Sequence, residues 1–334
     1  MASIKTATEV GAPSLGGRKG FSLIELLVVI AIIALLVGIL LPALASARAS
    51  ARQVKDATQV RQIVTGMITW AGQTKDTYPL PSRLDRANAT IAWGDDQQGR
   101  KNDTGNILSV LIWHEIIVPE ICVSPAEYNP QIKIDQSYQR AGPETAVDPA
   151  AAMWDPGFAG TPRDSRARRA GNPAGVGNTS YAHCPPNTQR RGFWSNSFDF
   201  RETVFGNRGP SYVSEESDFG PRPEPVESPW LPIDGPTGNR SYTLAIHGGS
   251  RTWEGNIVYN DGHVNFETVA DPEHIKYVRR DGMSVRDNFF VNESDDASQP
   301  EVGAFNGNGV NAYLRPIFDG TGDDNVYYFQ AYKD

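Results

Sequence analysis

The sequence predicts an α+β protein. One long N-terminal helix, membrane-spanning in its first half and amphipathic in its second, packs on a small antiparallel β-sheet head with long Gly- and Pro-rich loops. Three observations carry that reading. The stretch from Phe21 to Leu41, FSLIELLVVIAIIALLVGILL, holds a single charge, Glu25. The run after it, ALASARASARQVKDATQVRQIVTGMITWAGQTKDTYP, is helix-friendly and sets Leu44, Ala47, Ala51, Val54, Ile63, Met67 and Ile68 near one face. Farther on, short alternating segments bounded by turn residues replace helical periodicity, and 14 of the 24 prolines fall between residues 141 and 240.

Composition bounds the function. At 334 residues, with 39% hydrophobic and 21% charged side chains, the chain can bury the core of one large domain or two small ones. A formal net charge of −8 leaves no global basic field to hold a phosphate backbone, which excludes nucleic acid as the main partner. Only two cysteines, Cys122 and Cys184, are present, so neither a disulfide-dense scaffold nor a thiolate zinc cluster can form. One bridge between them, across 61 intervening residues, is what the count allows.

Taken in chain order, the apolar run comes first. As a helix rising about 1.5 Å per residue it spans roughly 31 Å, the thickness of a hydrocarbon core. The competing reading is a cleavable secretory signal, whose apolar region is usually about 7–15 residues and ends in small residues; Ala43, Ala45 and Ala47 supply such an end. Neither a plain anchor nor a secretory signal gives a reason for Glu25, since a carboxylate at a helix centre costs about 2.5–3.5 kcal/mol on insertion scales. Charge does not orient the span, because Arg48, Arg52, Lys55 and Arg61 after it compete with Lys5, Arg18 and Lys19 before it.

The residues around Glu25 are informative together. Arg18-Lys19-Gly20 precede Phe21-Ser22-Leu23-Ile24-Glu25, and Pro42 follows the apolar run. This arrangement resembles the class III signal of type IV prepilins and type II secretion pseudopilins. The resemblance implies cleavage between Gly20 and Phe21 by a prepilin peptidase and N-methylation of Phe21. It also implies an assembly role for Glu25, which would pair with the N-terminal amine of a neighbouring subunit, and a helix-perturbing role for Pro42. Residues 1–20 would be a leader, 21–41 the transmembrane helix, 42–75 its amphipathic continuation and 76–334 a head outside the inner membrane, in the periplasm, with 141–240 as a loop-rich insert.

Within the head, NILSVLIWHEIIVP predicts a short helix over Gly105–Val118 ending near Pro119, with His114 at the boundary of its apolar face. Short strands are expected at Ser180–Cys184 and in RGFWSNSFDF. Arg163, Arg166, Arg168 and Arg169 form a basic cluster that reads as a solvated face or as a contact for an acidic partner. The segment GNIVYNDGHVNFET predicts a hairpin in which Asp261-Gly262 makes a two-residue type I′ turn. With His247 upstream, IHGGSRTWEGNIVYNDGHV resembles the His-then-Asp-Gly signature near the C-terminus of large planctomycete-type pseudopilin-like proteins.

Three chemical readings remain in the head. His247, Asp261 and His263 would suit a metal or acid–base work if they converged, but at a hairpin tip the last two lack the buried pocket that catalysis needs. Asp319, Asp323 and Asp324, in FDGTGDD, suit Ca²⁺, the one cofactor considered, and major pseudopilins resemble this in placing a calcium site in a late loop; an ordinary polar turn is the favoured reading. No nucleophile elbow, phosphate loop, H-E-x-x-H or paired C-x-x-C occurs, so no enzyme is expected. The resemblance implies a pseudopilin of a type II secretion-like filament. Its partners would be the prepilin peptidase, other pilin or pseudopilin subunits, the inner-membrane assembly platform with its ATPase, and membrane lipid. A type IV pilus minor pilin and a membrane-anchored binding protein are the alternatives.

Overall fold

Helix α1 runs without interruption over Leu23–Ala71, with Pro42 inside it. The computed structural model describes residues 21–92, 100–164, 168–186, 188–197, 199–214, 230–249, 252–278, 284–291, 312–321 and 328–333. The chain divides into two units, Met1–Ala49 and Ser50–Asp334. In the first, every described side chain of the apolar run is exposed, and the helix is long and apolar enough to cross a membrane. Such an all-round apolar helix has no polar face to offer water. Proline lacks an amide N–H, so Pro42 leaves the carbonyl of Gly38 without its helical donor.

In the second unit α1 buries one face: Asp56, Gln59, Val60, Ile63, Val64, Gly66, Met67, Trp70 and Ala71. Ile63 and Met67 lie where the periodicity puts them, whereas Leu44 and Val54 are exposed. The true stripe begins with two polar residues, which a hydrophobic pattern cannot count. Helix α2 is the single turn Pro81–Leu84. Helix α3 covers Thr104–Trp113, capped at its start by Asp103, whose side chain accepts the amide of Asn106. It ends at His114, five residues short of Pro119, because Glu115 takes a left-handed backbone (φ 58°). His114 closes the helix edge-on against Trp70, with ring centroids 5.0 Å apart. A 3₁₀ turn, Pro119–Cys122, follows.

The strands come in chain order as β1 (Tyr181–His183), β2 (Thr203–Asn207), β3 (Tyr212–Ser214), β4 (Trp230–Pro232), β5 (Gly255–Tyr259), β6 (Val264–Glu267), β7 (Lys276–Val278), β8 (Ser284–Arg286), β9 (Ile317–Thr321) and β10 (Tyr328–Ala331). Strands β1, β2, β5 and β6 form an antiparallel sheet in that order, while β3–β4, β7–β8 and β9–β10 are two-stranded ribbons. This is the predicted α+β arrangement. Strand β1 lies where SYAHC predicts it. The described residues of RGFWSNSFDF form no strand: Thr188–Gly192 is a 3₁₀ turn, and buried Trp194 is pinned by its indole N–H to the carbonyl of Pro79.

Both faces of the central sheet are covered, so β5 is buried throughout instead of alternating. Tyr181, Phe205 and Val258 join α1 and α3 in one apolar cluster with Val64, Met67, Ile107 and Leu111. Ala182, Ile257 and Tyr259 join a second cluster with Leu244, Trp253, Phe289, Phe290 and Leu314.

The β5–β6 turn differs from the prediction. Gly262 donates to the carbonyl of Tyr259 (2.8 Å) and Tyr259 donates to that of His263 (3.1 Å), so three residues, Asn260, Asp261 and Gly262, form the loop. Only Gly262 has positive φ (82°). This is a type I turn closed by a left-handed glycine, in which Asp261 needs no unusual backbone.

Outside strands β1 to β4, polar side chains hold the loops of the insert. Arg169 is buried and pairs with both Asp135 and Asp155. Arg168 donates to the carbonyls of Thr161, Asp164 and Val176. The basic cluster is therefore neither a solvated face nor a free recognition surface at these two positions; Arg166 lies outside the described residues. Arg315, also buried, bonds the carbonyls of Gly209, Pro210 and Phe290. Irregular backbone buries polar groups that need partners, and guanidinium groups supply several donors each.

Candidate functional site

At the N-terminal site, Gly20 lies outside the described residues, and Phe21 is the first described, 75% exposed. The next four residues close a reciprocal cap. The Ser22 hydroxyl accepts the amide of Ile24 (3.3 Å), and Glu25 Oε2 accepts the amide of Ser22 (2.9 Å). Ser22 is the N-cap and Glu25 the third helical residue, the S-x-x-E capping box, which satisfies two amides that α1 cannot pair internally. Glu25 thus has a local use that the assembly reading passes over. The S-x-x-E spacing is the sequence signal for it.

His247, Asp261 and His263 do not converge. His247 Nε2 lies 2.8 Å from Oδ2 of Asp56, and both side chains are almost wholly buried. Asp261 and His263 pair with each other at the exposed hairpin tip, where the His263 ring stacks on Tyr259 at 4.3 Å. Burial pushes the Asp261 carboxyl up, but hydrogen bonds from the His263 amide and ring outweigh it and hold the group below the ordinary value. The two places touch α1 at different heights. His247 meets Asp56, whereas Gly262 faces Ile68. Twelve helical residues separate these points, about 18 Å along the axis. Among the described residues no group of three His, Cys, Asp or Glu side chains is placed to hold a metal. Asp319 lies in β9, and Asp323 and Asp324 lie outside the described residues.

Asp56 is the node that hydropathy reading misses. Its Oδ1 accepts the hydroxyl of Tyr181 (2.9 Å), and its Oδ2 accepts Asn256 Nδ2 (2.7 Å) as well as facing His247. Ser124 adds a further hydrogen bond. Burial raises the carboxyl pKa, yet His247 by hydrogen bond and charge, then Ser124 and Asn256, outweigh it and hold the group below the ordinary 3.8. One carboxylate on α1 therefore gathers β1, β5, the segment after the Pro119–Cys122 turn and the segment carrying His247. Asn256 stands in the same string as the Asp-Gly turn. The structure thus gives the His-then-Asp-Gly string two separate uses: His247 and Asn256 fasten the head segments to α1, and Asp261-Gly262 closes the hairpin.

The remaining histidine of the core, His183, is fixed by its neighbours. Burial pushes it down to about 4, so it is neutral at pH 7. Its Nδ1 faces the carbonyl of Cys184 (2.9 Å) and must carry the proton, which makes Nε2 the acceptor for the Thr104 hydroxyl (2.8 Å). Thr104 Oγ1 in turn accepts the amide of Ile317. The chain of bonds ties α3, β1 and β9 together and offers no open base. Cys122 and Cys184 are separate buried thiols, Cys122 in the cluster against α1 and Cys184 in the cluster on the other face of the sheet. Burial pushes both thiols up, Cys184 to about 12, so neither carries a reactive thiolate at neutral pH.

A prokaryotic N-terminal methylation motif matches residues 16–41. No curated protein and no solved structure matches the chain. The matched residues are the Arg-Lys-Gly signal, the capped start of α1 and the exposed apolar run, so the motif and the geometry describe the same segment. On that segment the chain carries a prepilin-type signal followed by a helix long and apolar enough to cross a membrane.

Proposed function

We propose that this chain is a structural pseudopilin, a subunit of a type II secretion-like filament. The observation that carries the reading is the methylation motif on a helix whose apolar run is exposed on every side. A peptidase cuts between Gly20 and Phe21 and methylates Phe21, and the apolar run holds the subunit in the inner membrane until an ATPase-driven platform extracts it. The head lies in the periplasm. In the filament the apolar helices bundle, and Glu25 meets the N-terminal amine of a neighbouring subunit, a charge pair that a low-dielectric core strengthens. Glu25 exchanges its bond to the Ser22 amide for that amine, so the cap would hold the carboxylate in position beforehand.

Intact mass and N-terminal sequencing of protein recovered from its native membrane test the processing step. A methylated Phe21 is expected; a retained leader, or a cut near Ala47, overturns it. Cross-linking in cells then reads the assembly. Ladders with other pseudopilins support the secretion filament, recovery in surface pili supports a pilus subunit, and a processed but monomeric chain supports an anchored binding protein.

A further inference from the structure

A lysine with no access to water stands apart from everything above. Lys101 is fully buried, a rare place for an ammonium. Its three protons are all directed at the short segment after α2: to the carbonyl of Asp85 (2.5 Å), to Asp85 Oδ2 (2.9 Å) and to the side-chain carbonyl of Asn88 (2.7 Å). Asp85 is itself 1% exposed. Its carboxylate also accepts the amides of Ala89 (2.7 Å) and Ile91 (3.0 Å), which bind the turn on the far side of Asn88. Asn88 sits in that turn with a left-handed backbone, φ 57°. Leu84 and Ile91, flanking the turn, pack on the apolar cluster around α1 and α3. A buried amine, a buried carboxylate and the half-buried carboxamide of Asn88 are thus held together, the three groups that amide exchange requires.

We propose that Lys101 and Asn88 are joined by a self-formed isopeptide bond, with Asp85 as the proton carrier. Asp85 Oδ2, 2.9 Å from Nζ, takes one proton from the Lys101 ammonium. The freed amine attacks Cγ of Asn88. The bond from Nζ to Cγ forms, and the bond from Cγ to the carboxamide nitrogen breaks. Of the three ammonium protons one stays on the new amide, and two leave with the expelled nitrogen as ammonium, one of them carried by Asp85. Asp85 ends as the carboxylate it began as, still held by the amides of Ala89 and Ile91, and no oxidant or reductant enters. The fixed turn supplies the proximity that makes such a step effectively unimolecular.

The test is the mass of the full chain, purified in detergent and measured under denaturing conditions. The expected mass is short of the sequence mass by one ammonia. Trypsin cannot cut after an acylated lysine, so the digest should contain a branched peptide in which Ala87–Arg100 is joined to Lys101–Lys133. Lys101→Arg, which keeps the charge and donors, and Asn88→Gly, which keeps the left-handed backbone, should each restore the full mass. A native chain with no missing ammonia and normal cleavage after Lys101 overturns the proposal. Loss of water instead, with Lys101 joined to Asp85, overturns the assignment of Asn88.

Discussion

Asp56, buried, and Glu202, half-buried, are carboxyl groups tuned in opposite directions, and their effects on stability fall in separate pH windows. Asp56 titrates below its ordinary 3.8 in the fold, because its hydrogen-bond donors outweigh burial. Its contribution is fully present above that ordinary value and is lost as pH falls through the lowered one. Thermal melts of the detergent-solubilised chain should therefore weaken below about pH 4. Asp56→Ala leaves His247 and Asn256 without this acceptor and Tyr181 with only Gln59 Oε1; at pH 7 a loss of about 3–5 kcal/mol is expected, as for breaking a buried pair. Glu202 is raised from 4.5 to about 7 by burial first, then by the Asp287 and Asp199 charges, against Arg190. The fold holds its proton more tightly than the unfolded chain does. Stability is then greatest below the ordinary value and declines as pH rises toward about 7. Glu202→Gln should remove that decline and stabilise the chain at pH 8 by on the order of 2 kcal/mol, read from the same melts.

At the scale of elements, two features show why pattern reading succeeds in one place and fails in another. The β5–β6 hairpin is legible because Asp-Gly sits between apolar runs, but its turn type depends on which backbone bonds close, and only Gly262 takes the left-handed conformation. Gly262→Ala should cost about 1–2 kcal/mol, and Asp261→Ala considerably less, whereas a type I′ turn would make both costly; paired denaturant melts decide between them. The buried stripe of α1 is partly legible. Ile63 and Met67 follow the period, but Asp56 and Gln59 occupy the same face as polar residues and are visible only once their partners are placed. The insert was expected to be extended loops with short strands, and Arg169 staples its loops by charge. Arg169→Ala leaves Asp135 and Asp155 buried without their cation, and burial already raises Asp155. A loss of about 3–5 kcal/mol, together with faster hydrogen exchange confined to residues near 135–178, is the expected result.

For the molecule as a whole, the proposed function rests on the segment that local sequence describes best. Replacing Glu25 with Ala removes both the carboxylate proposed for assembly and one half of the capping box. Membrane insertion should persist, since the apolar run grows more apolar, while incorporation into filaments falls; unchanged incorporation in pull-downs of sheared filaments refutes the assembly role. Glu25→Gln keeps the acceptor for the Ser22 amide but not the charge, and so separates capping from pairing. The sequence by itself determined the processing signal, the membrane-length helix, the α+β class and the position of the hairpin. Each of these is set by neighbours a few residues apart, through apolar run length, cap spacing or turn chemistry. Tertiary structure alone decided that His247 serves Asp56 and not His263, that Arg169 is a buried cation while Arg168 is spent on backbone carbonyls, that both cysteines are separate buried thiols, and that Lys101 meets Asn88. Those outcomes depend on which distant segments share a buried volume, where a polar group must find a partner, and no local pattern specifies that partner.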